Sequence, residues 1–183
     1  KKGENEVLIL QIMGCTSDQY ASMERYLVGK ADYWRKRGSR LVVVYENHPR
    51  SEAFVQDFVD HGGELLQDRM ASVCDIRYYL RLRQRLKDWK PDIVHLYFTP
   101  SCHRIALFLK LIGYRAVVRS AANMPHLPQT EEHRAICGLG RMQRWRHRLL
   151  GALYRSIICR SDGVRNAFLN MGLPPETVGV ADG

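Results

Sequence analysis

The chain has 183 residues, 45% of them hydrophobic, and 28 lysines and arginines against 19 acids give a formal net charge of +9. That is enough apolar material for one cored domain, while the longest apolar run, Ile105 to Leu109, falls far short of the ~20 residues that span a bilayer. The five cysteines (Cys15, Cys74, Cys102, Cys137, Cys159) are odd in number and lack a C-x-x-C pair, which argues against a disulfide framework or a thiolate metal site and for a reducing compartment, the cytoplasm.

Taken in chain order, Glu6–Ile12 is a nearly continuous apolar run, as expected of a strand buried on both faces. Met23, Leu27, Ala31 and Trp34 then fall on one helical stripe that stops at Gly38. Leu41–Tyr45 is a second strand. Ser51 is placed to cap a helix with Phe54, Val55, Phe58 and Val59 facing inward, stopped by Gly62-Gly63. Leu65-Leu66 is a short edge strand, Asp75–Trp89 a helix, Asp92–Tyr97 a strand, Ser101–Ile112 a helix and Ala116–Val118 a strand. Helices over Met142–Tyr154 and Asp162–Met171 flank the strand Ile157–Cys159, and Val178–Ala181 closes the series. Strands alternating with helices of this length predict right-handed crossovers on a parallel sheet, a Rossmann-like α/β fold. One connection breaks the rhythm: Ser120–Leu139 has no clear period and holds Pro125 and Pro128. A loop that long leaving the carboxyl end of a strand is expected to be a substrate loop.

The first strand-to-helix turn, Met13 to Asp18, has one glycine where a dinucleotide fingerprint needs three, and no phosphate-loop motif occurs, which disfavours both standard nucleotide-binding types. The turn at Gly14, Cys15 and Thr16 still presents backbone N–H groups at a helix start, suited to an anion as well as to a plain tight turn. No histidine–cysteine spacing fits a zinc site, so no metal and no cofactor are expected. His95, inside a buried strand, reads as a satisfied core or cleft-edge histidine, whereas His126, in the long loop, is placed to serve as a general base or sugar-binding group.

Charge is unevenly spread. Seven arginines and no acid lie between His133 and Ser161, whereas six acids face Arg50 alone between Glu46 and Asp68. One face is therefore expected to meet an anionic surface. The segment Arg141 to Leu150 is amphipathic, with Met142, Trp145, Leu149 and Leu153 on one stripe. It is either a packed helix with a solvated basic face or an interfacial helix with Arg141, Arg144, Arg146 and Arg148 on anionic headgroups and Trp145 at the boundary. Arg77, Arg81 and Arg85 form a second basic stripe beside Tyr78 and Tyr79, but no nucleic-acid module accompanies them and no nucleic-acid partner is expected.

Four stretches together resemble the N-terminal, acceptor-binding domain of the retaining GT-B glycosyltransferases of family 4, also called glycosyl transferase group 1. These are Met23-Glu24-Arg25-Tyr26-Leu27 with the helix ending Lys36-Arg37-Gly38; Lys90-Pro91-Asp92-Ile93-Val94-His95; Ser156–Ser161 followed by Val164-Arg165; and Thr177–Gly183. The chain departs from the family in having Ser22-Met23 where paired glycines are common, and Arg119-Ser120-Ala121-Ala122-Asn123 where a histidine often follows the fifth strand. The resemblance implies that residues 1–183 form one lobe of a GT-B fold, the nucleotide-sugar-binding domain lying beyond the chain. It implies transfer of a sugar from a nucleotide-sugar to a glycan or lipid-linked acceptor with retention, without bound metal, in cell-envelope polysaccharide synthesis at the inner face of the membrane, with this fragment inactive alone. On that reading His126 is the catalytic residue, and Gly14, Cys15, Thr16, Tyr97, Arg119, Ser120, Asn123 and Ser161 line the acceptor side of the cleft. Two alternatives stay open: a non-catalytic Rossmann-like module that binds membrane or polyanion, and a GT-B-like nucleotide-sugar epimerase.

Overall fold

The computed structural model describes residues 6–14, 19–72, 74–97, 102–121, 145 and 148–180, in two compact units, Lys1–Ser101 and Cys102–Gly183. The first unit runs β1 (Leu8–Met13), α1 (Ser22–Arg35), β2 (Arg40–Tyr45), α2 (Glu52–Asp60), β3 (Gly63–Gln67), α3 (Ile76–Trp89) and β4 (Ile93–Tyr97). The second has α4 (Cys102–Leu111), β5 (Val117–Ala121), β6 (Ser156–Cys159), α5 (Asp162–Asn170), a 3₁₀ turn at Pro175–Thr177 and β7 (Val178–Val180).

In the first unit the strands lie in the order β3-β2-β1-β4. All three pairings are parallel, with Ile9 opposite Leu41 on one side and Ile93 on the other, and Val43 opposite Leu65. Every residue of β1 is buried, as a strand must be when helices cover both faces of a parallel sheet. In the second unit β5 pairs β6 and β6 pairs β7, again parallel. The expected parallel α/β architecture holds in both units, with boundaries moved by one to three residues. The shift at β5 carries meaning, because it makes Arg119 and Ser120 strand residues.

Local chemistry sets the ends. Glu24 reaches back to accept a hydrogen bond from the Ala21 N–H at 3.0 Å, closing the first turn of α1. Ser51 Oγ accepts from Phe54 N at 3.3 Å, so the expected cap is made, and Asp75 caps α3 in the same way, accepting from Tyr78 N at 3.1 Å. Lys90 ends α3 in the left-handed region (φ 49°) ahead of the buried Pro91. Asp92 then staples strand starts: its carboxylate accepts from Leu8 N at 2.7 Å while its own N–H donates to Leu8 O at 2.8 Å. That gives the Lys90-Pro91-Asp92 motif a concrete job.

The core of the first unit gathers Ile9, Met13, Leu27, Val28, Ala31, Leu41, Val43, Tyr45, Phe54 and Phe58. Of the four residues expected to face inward from α2, Phe54 and Phe58 are fully buried, Val55 is half-buried and Val59 is 50% exposed. A four-residue apolar cluster is wider than the strip a nine-residue helix can bury, and the phenylalanines one turn apart take it. Gly63 follows because a Cβ there would sit 2.2 Å from Phe58 Cε1, inside the ring. In the second unit Val164, Ala167 and Phe168 of α5 are buried, as are Met171, Leu173 and Val178.

Candidate functional site

Ligands of open α/β sheets bind at the carboxyl ends of the strands, so the residues placed there matter most. In the first unit Gly14 follows β1 and donates its N–H to Tyr97 O at 3.0 Å, tying the turn after β1 to the end of β4. Two of the expected site residues are thereby brought together, and Tyr97 stands edge-on to His95 with ring centroids 5.9 Å apart. Cys15, Thr16, Asn123 and His126 lie outside the described residues, as does nearly all of the long loop after β5.

In the second unit Arg119 is the centre of a cluster. Its guanidinium lies 5.7 Å from the ring centroids of both Tyr154 and Phe168, and Nη1 stands 3.4 Å from His103 Nε2. Tyr154 Oη is 2.9 Å from His103 Nδ1. An arginine only donates, so Nε2 accepts and His103 carries its proton on Nδ1, which donates to the Tyr154 oxygen. Burial first, then the neighbouring Cys102, pushes the Tyr154 hydroxyl pKa up, so it stays neutral. Among the described residues no carboxylate pairs with Arg119. The cluster is thus a half-buried cation clamped between rings on the final strand residues before the long loop, equipped to take an oxyanion. Ser161 starts α5 at the carboxyl end of β6, its Oγ accepting from Val164 N at 3.4 Å, with the positive end of the helix dipole beyond it. Arg119 and Ser120 belong to β5, which registers against β6 with Ala121 opposite Cys159.

Sequence reasoning missed a polar cluster inside the first unit. Lys30 of α1 donates from Nζ to Gln11 Oε1 at 2.5 Å and stands 3.1 Å from His95 Nδ1, while Gln11 and His95 are register partners on β1 and β4. Gln11 and His95 are both buried. Burial lowers the Lys30 pKa to about 8. Burial and then the Lys30 charge lower the His95 pKa to about 3. A neutral His95 accepting at Nδ1 agrees with both. The signal was present: a glutamine interrupts the run Leu-Ile-Leu-Gln-Ile-Met, and Lys30 sits between Leu27, Ala31 and Trp34 on the apolar side of α1.

The cluster predicts a pH dependence. A histidine whose folded pKa is depressed from 6.5 to about 3 binds its proton in the unfolded chain first, so stability falls as pH drops below 6.5 and continues to fall toward 3. The slope approaches about 1.4 kcal/mol per pH unit for one proton. The Lys30 shift acts between its folded value of about 8 and 10.5 and leaves this window alone. Urea unfolding of wild type and His95→Gln between pH 7 and pH 5 is expected to show the wild-type loss and a shallower profile in the variant.

The basic stripe on α3 is corrected. Arg81 Nη2 and Arg85 Nη1 bond the two oxygens of Asp68 at 2.7 and 2.5 Å, and Asp68 is buried at the exit of β3. Those two arginines anchor α3 to the sheet rather than forming a free cationic row. Of the helix expected over Met142–Tyr154, residues 145 and 148–151 are helical and residues 152 and 153 turn, while 142–144, 146 and 147 lie outside the described residues. Trp145 is 60% and Leu149 50% exposed, so neither is buried, and the exposed Arg148 donates from Nε to Gly172 O at 3.0 Å. Arg141, Arg144 and Arg146 lie outside the described residues. Among the described residues no group of histidine, cysteine and carboxylate side chains is arranged to hold a metal, and no helix is long and apolar enough to cross a membrane.

The model of Glycosyltransferase Family 4 matches residues 23–181. The chain belongs to that family. No curated protein matches it. Among solved structures this family 4 chain is similar to a glycosyltransferase from Rickettsia africae, at 15% identity and TM-score 0.63, over 97% of this chain and 43% of that one. It is also similar to Anabaena Alr3699/HepE in complex with UDP, at 14% identity and TM-score 0.60, over 95% of this chain and 43% of that one. A UDP-N-acetylglucosamine 2-epimerase from Rickettsia bellii matches at 15% identity and TM-score 0.54, over 95% and 44%. The family 4 chain therefore spans less than half the length of each of these structures, and the fold it shares with them is the Rossmann-like parallel sheet of one GT-B lobe.

Proposed function

We propose that this chain is the acceptor-binding half of a retaining glycosyltransferase that moves a sugar from a nucleotide-sugar to a glycan or lipid-linked acceptor. The observation that carries the reading is the family match over residues 23–181 together with Arg119, a cation without a described carboxylate partner, at the end of β5. In such a transfer the bond from the anomeric carbon to the diphosphate breaks, a bond to the acceptor hydroxyl oxygen forms, and the hydroxyl proton must leave. Gly14, Cys15, Thr16, Tyr97, Arg119, Ser120, Asn123 and Ser161 are assigned to hold the acceptor, and His126 to take up its proton. The departing diphosphate is stabilised by positive groups and helix N-termini rather than by a metal. A nucleoside diphosphate donor is supported by the Anabaena structure that contains UDP. The exposed Trp145 and Leu149 among the arginines support docking of Arg141, Arg144, Arg146 and Arg148 on the inner leaflet.

An epimerase is the second reading, because the Rickettsia bellii enzyme has the same lobe. Incubation of the full-length protein with UDP-sugars separates the two. Release of UDP that depends on an added acceptor supports transfer, while a 2-epimeric sugar formed without acceptor supports the alternative. Titration calorimetry of the 183-residue chain alone with UDP- and GDP-sugars is expected to give no binding tighter than millimolar. A micromolar constant, about −8 kcal/mol, would put the donor site in this half and overturn the assignment.

A further inference from the structure

The second unit carries an open groove of about 740 Å³ at the amino ends of β5 and β6, the opposite edge of the strands from Ser161. Lys110, Tyr114, Arg115, Arg155, Ser156 and Glu176 line it. Its volume falls within the range of small-ligand pockets. Three cations face one carboxylate there, and among the described residues none of Lys110, Arg115 and Arg155 has an ion-pair partner. Along the sequence around Lys110 and Arg115 no acid occurs from Ile93 to Thr130.

Lys110 belongs at once to the groove and to the outer face of α4. That face exposes Leu107 by 48% and Leu111 by 77%, with Arg104 and Lys110 also exposed beside them. Cys102, Ile105, Ala106 and Leu109 fill the buried side, so the two leucines are surplus to the core. Exposed apolar side chains on a helix face with Arg104 and Lys110, the latter also lining the cationic groove, match the layering of a leaflet surface, acyl boundary beside phosphate. A small soluble anion would use the cations and leave the leucines unexplained.

We propose that this groove holds the phosphodiester headgroup of an anionic bilayer lipid, with Leu107 and Leu111 entering the acyl boundary beside it. The groove opens at the edge of the strands opposite Ser161, and none of its described lining residues is among those assigned to the acceptor. It deepens the membrane part of the proposed function and does not require the transferase part.

The test is co-sedimentation of the full-length protein with phosphatidylcholine vesicles, with and without phosphatidylglycerol. Lys110→Ser/Arg115→Ser/Arg155→Ser is expected to lower partitioning onto phosphatidylglycerol vesicles roughly a hundredfold at low salt, from the loss of three cations near a charged surface. The charge-preserving Lys110→Arg/Arg115→Lys/Arg155→Lys variant is expected to bind as wild type. Leu107→Ser/Leu111→Ser is expected to weaken binding at both low and high salt, where screening removes most of the electrostatic part. Equal sedimentation of wild type and the triple serine variant overturns the proposal. So does tight calorimetric binding of free sn-glycerol 1-phosphate that the triple variant abolishes while vesicle binding persists, which would make the groove a soluble phosphate-ester site. Serine replacement of Arg141, Arg144, Arg146 and Arg148, run alongside, reports separately on that segment. Acceptor-dependent UDP release in detergent reports on the transferase reading and is expected to be unchanged in every groove variant.

Discussion

Phe58→Ala is expected to destabilise the protein by about 4 kcal/mol, the upper part of the range for emptying a phenylalanine site. Phe58 has no exposed surface, packs against Phe54 with ring centroids 5.7 Å apart, and joins the cluster that binds α1 and α2 to β1 and β2. The neighbouring backbone is built around its ring, since Gly63 has no room for a Cβ, so little can move in to fill the void. For a chain of this size the loss corresponds to a fall of about 12 °C in Tm, readable by thermal and urea unfolding. The converse change tests the same geometry. Gly63→Ala drives a methyl into Phe58 and is expected to cost about 2 kcal/mol by overpacking. In the Phe58→Ala background that penalty should vanish, because the methyl then enters empty space. An unchanged Gly63→Ala penalty in the double variant would contradict the close approach.

Arg119→Gln is the second large effect, on activity rather than stability. If Arg119 binds an oxyanion of the acceptor or of the reacting sugar, its removal deletes a charge-assisted hydrogen bond of about 1.5–3 kcal/mol. That corresponds to roughly a tenfold to hundredfold loss of kcat/KM in the full-length enzyme. Glutamine can still donate to His103, so Tm is expected to move by only a few degrees. Arg119→Lys keeps the charge but loses the planar fork that sits between Tyr154 and Phe168, and should fall between the two. Full activity in Arg119→Gln would place the guanidinium outside the reaction and leave it a packing element.

Much of this molecule is written in runs and stripes. Glu6–Ile12 and Leu41–Tyr45 read as buried strands, found at Leu8–Met13 and Arg40–Tyr45, because one-dimensional apolar density survives folding. Ser51 is legible as a cap because its partner lies three residues away. What stayed hidden is polar and distant in sequence. Lys30 meets His95 across 65 positions and Tyr154 meets His103 across 51, and no local period encodes either meeting. The α3 arginines follow the same rule: their acid, Asp68, sits at the exit of the preceding strand, outside the helix that carries the stripe. Trp145 and Leu149 share a stripe that predicts burial equally well whether or not anything covers it, and the structure leaves both exposed.

The Asp68 anchor also constrains how this protein can change over generations. One buried carboxylate answers two guanidiniums on successive turns of α3, so losing Asp68 strands two cations, and losing either arginine leaves the acid half-answered. Drift at position 68 is therefore tied to positions 81 and 85, and the three should vary as a set, toward an apolar trio or not at all. Neighbouring Arg77 and Arg83 carry no such tie to Asp68 and are free to wander.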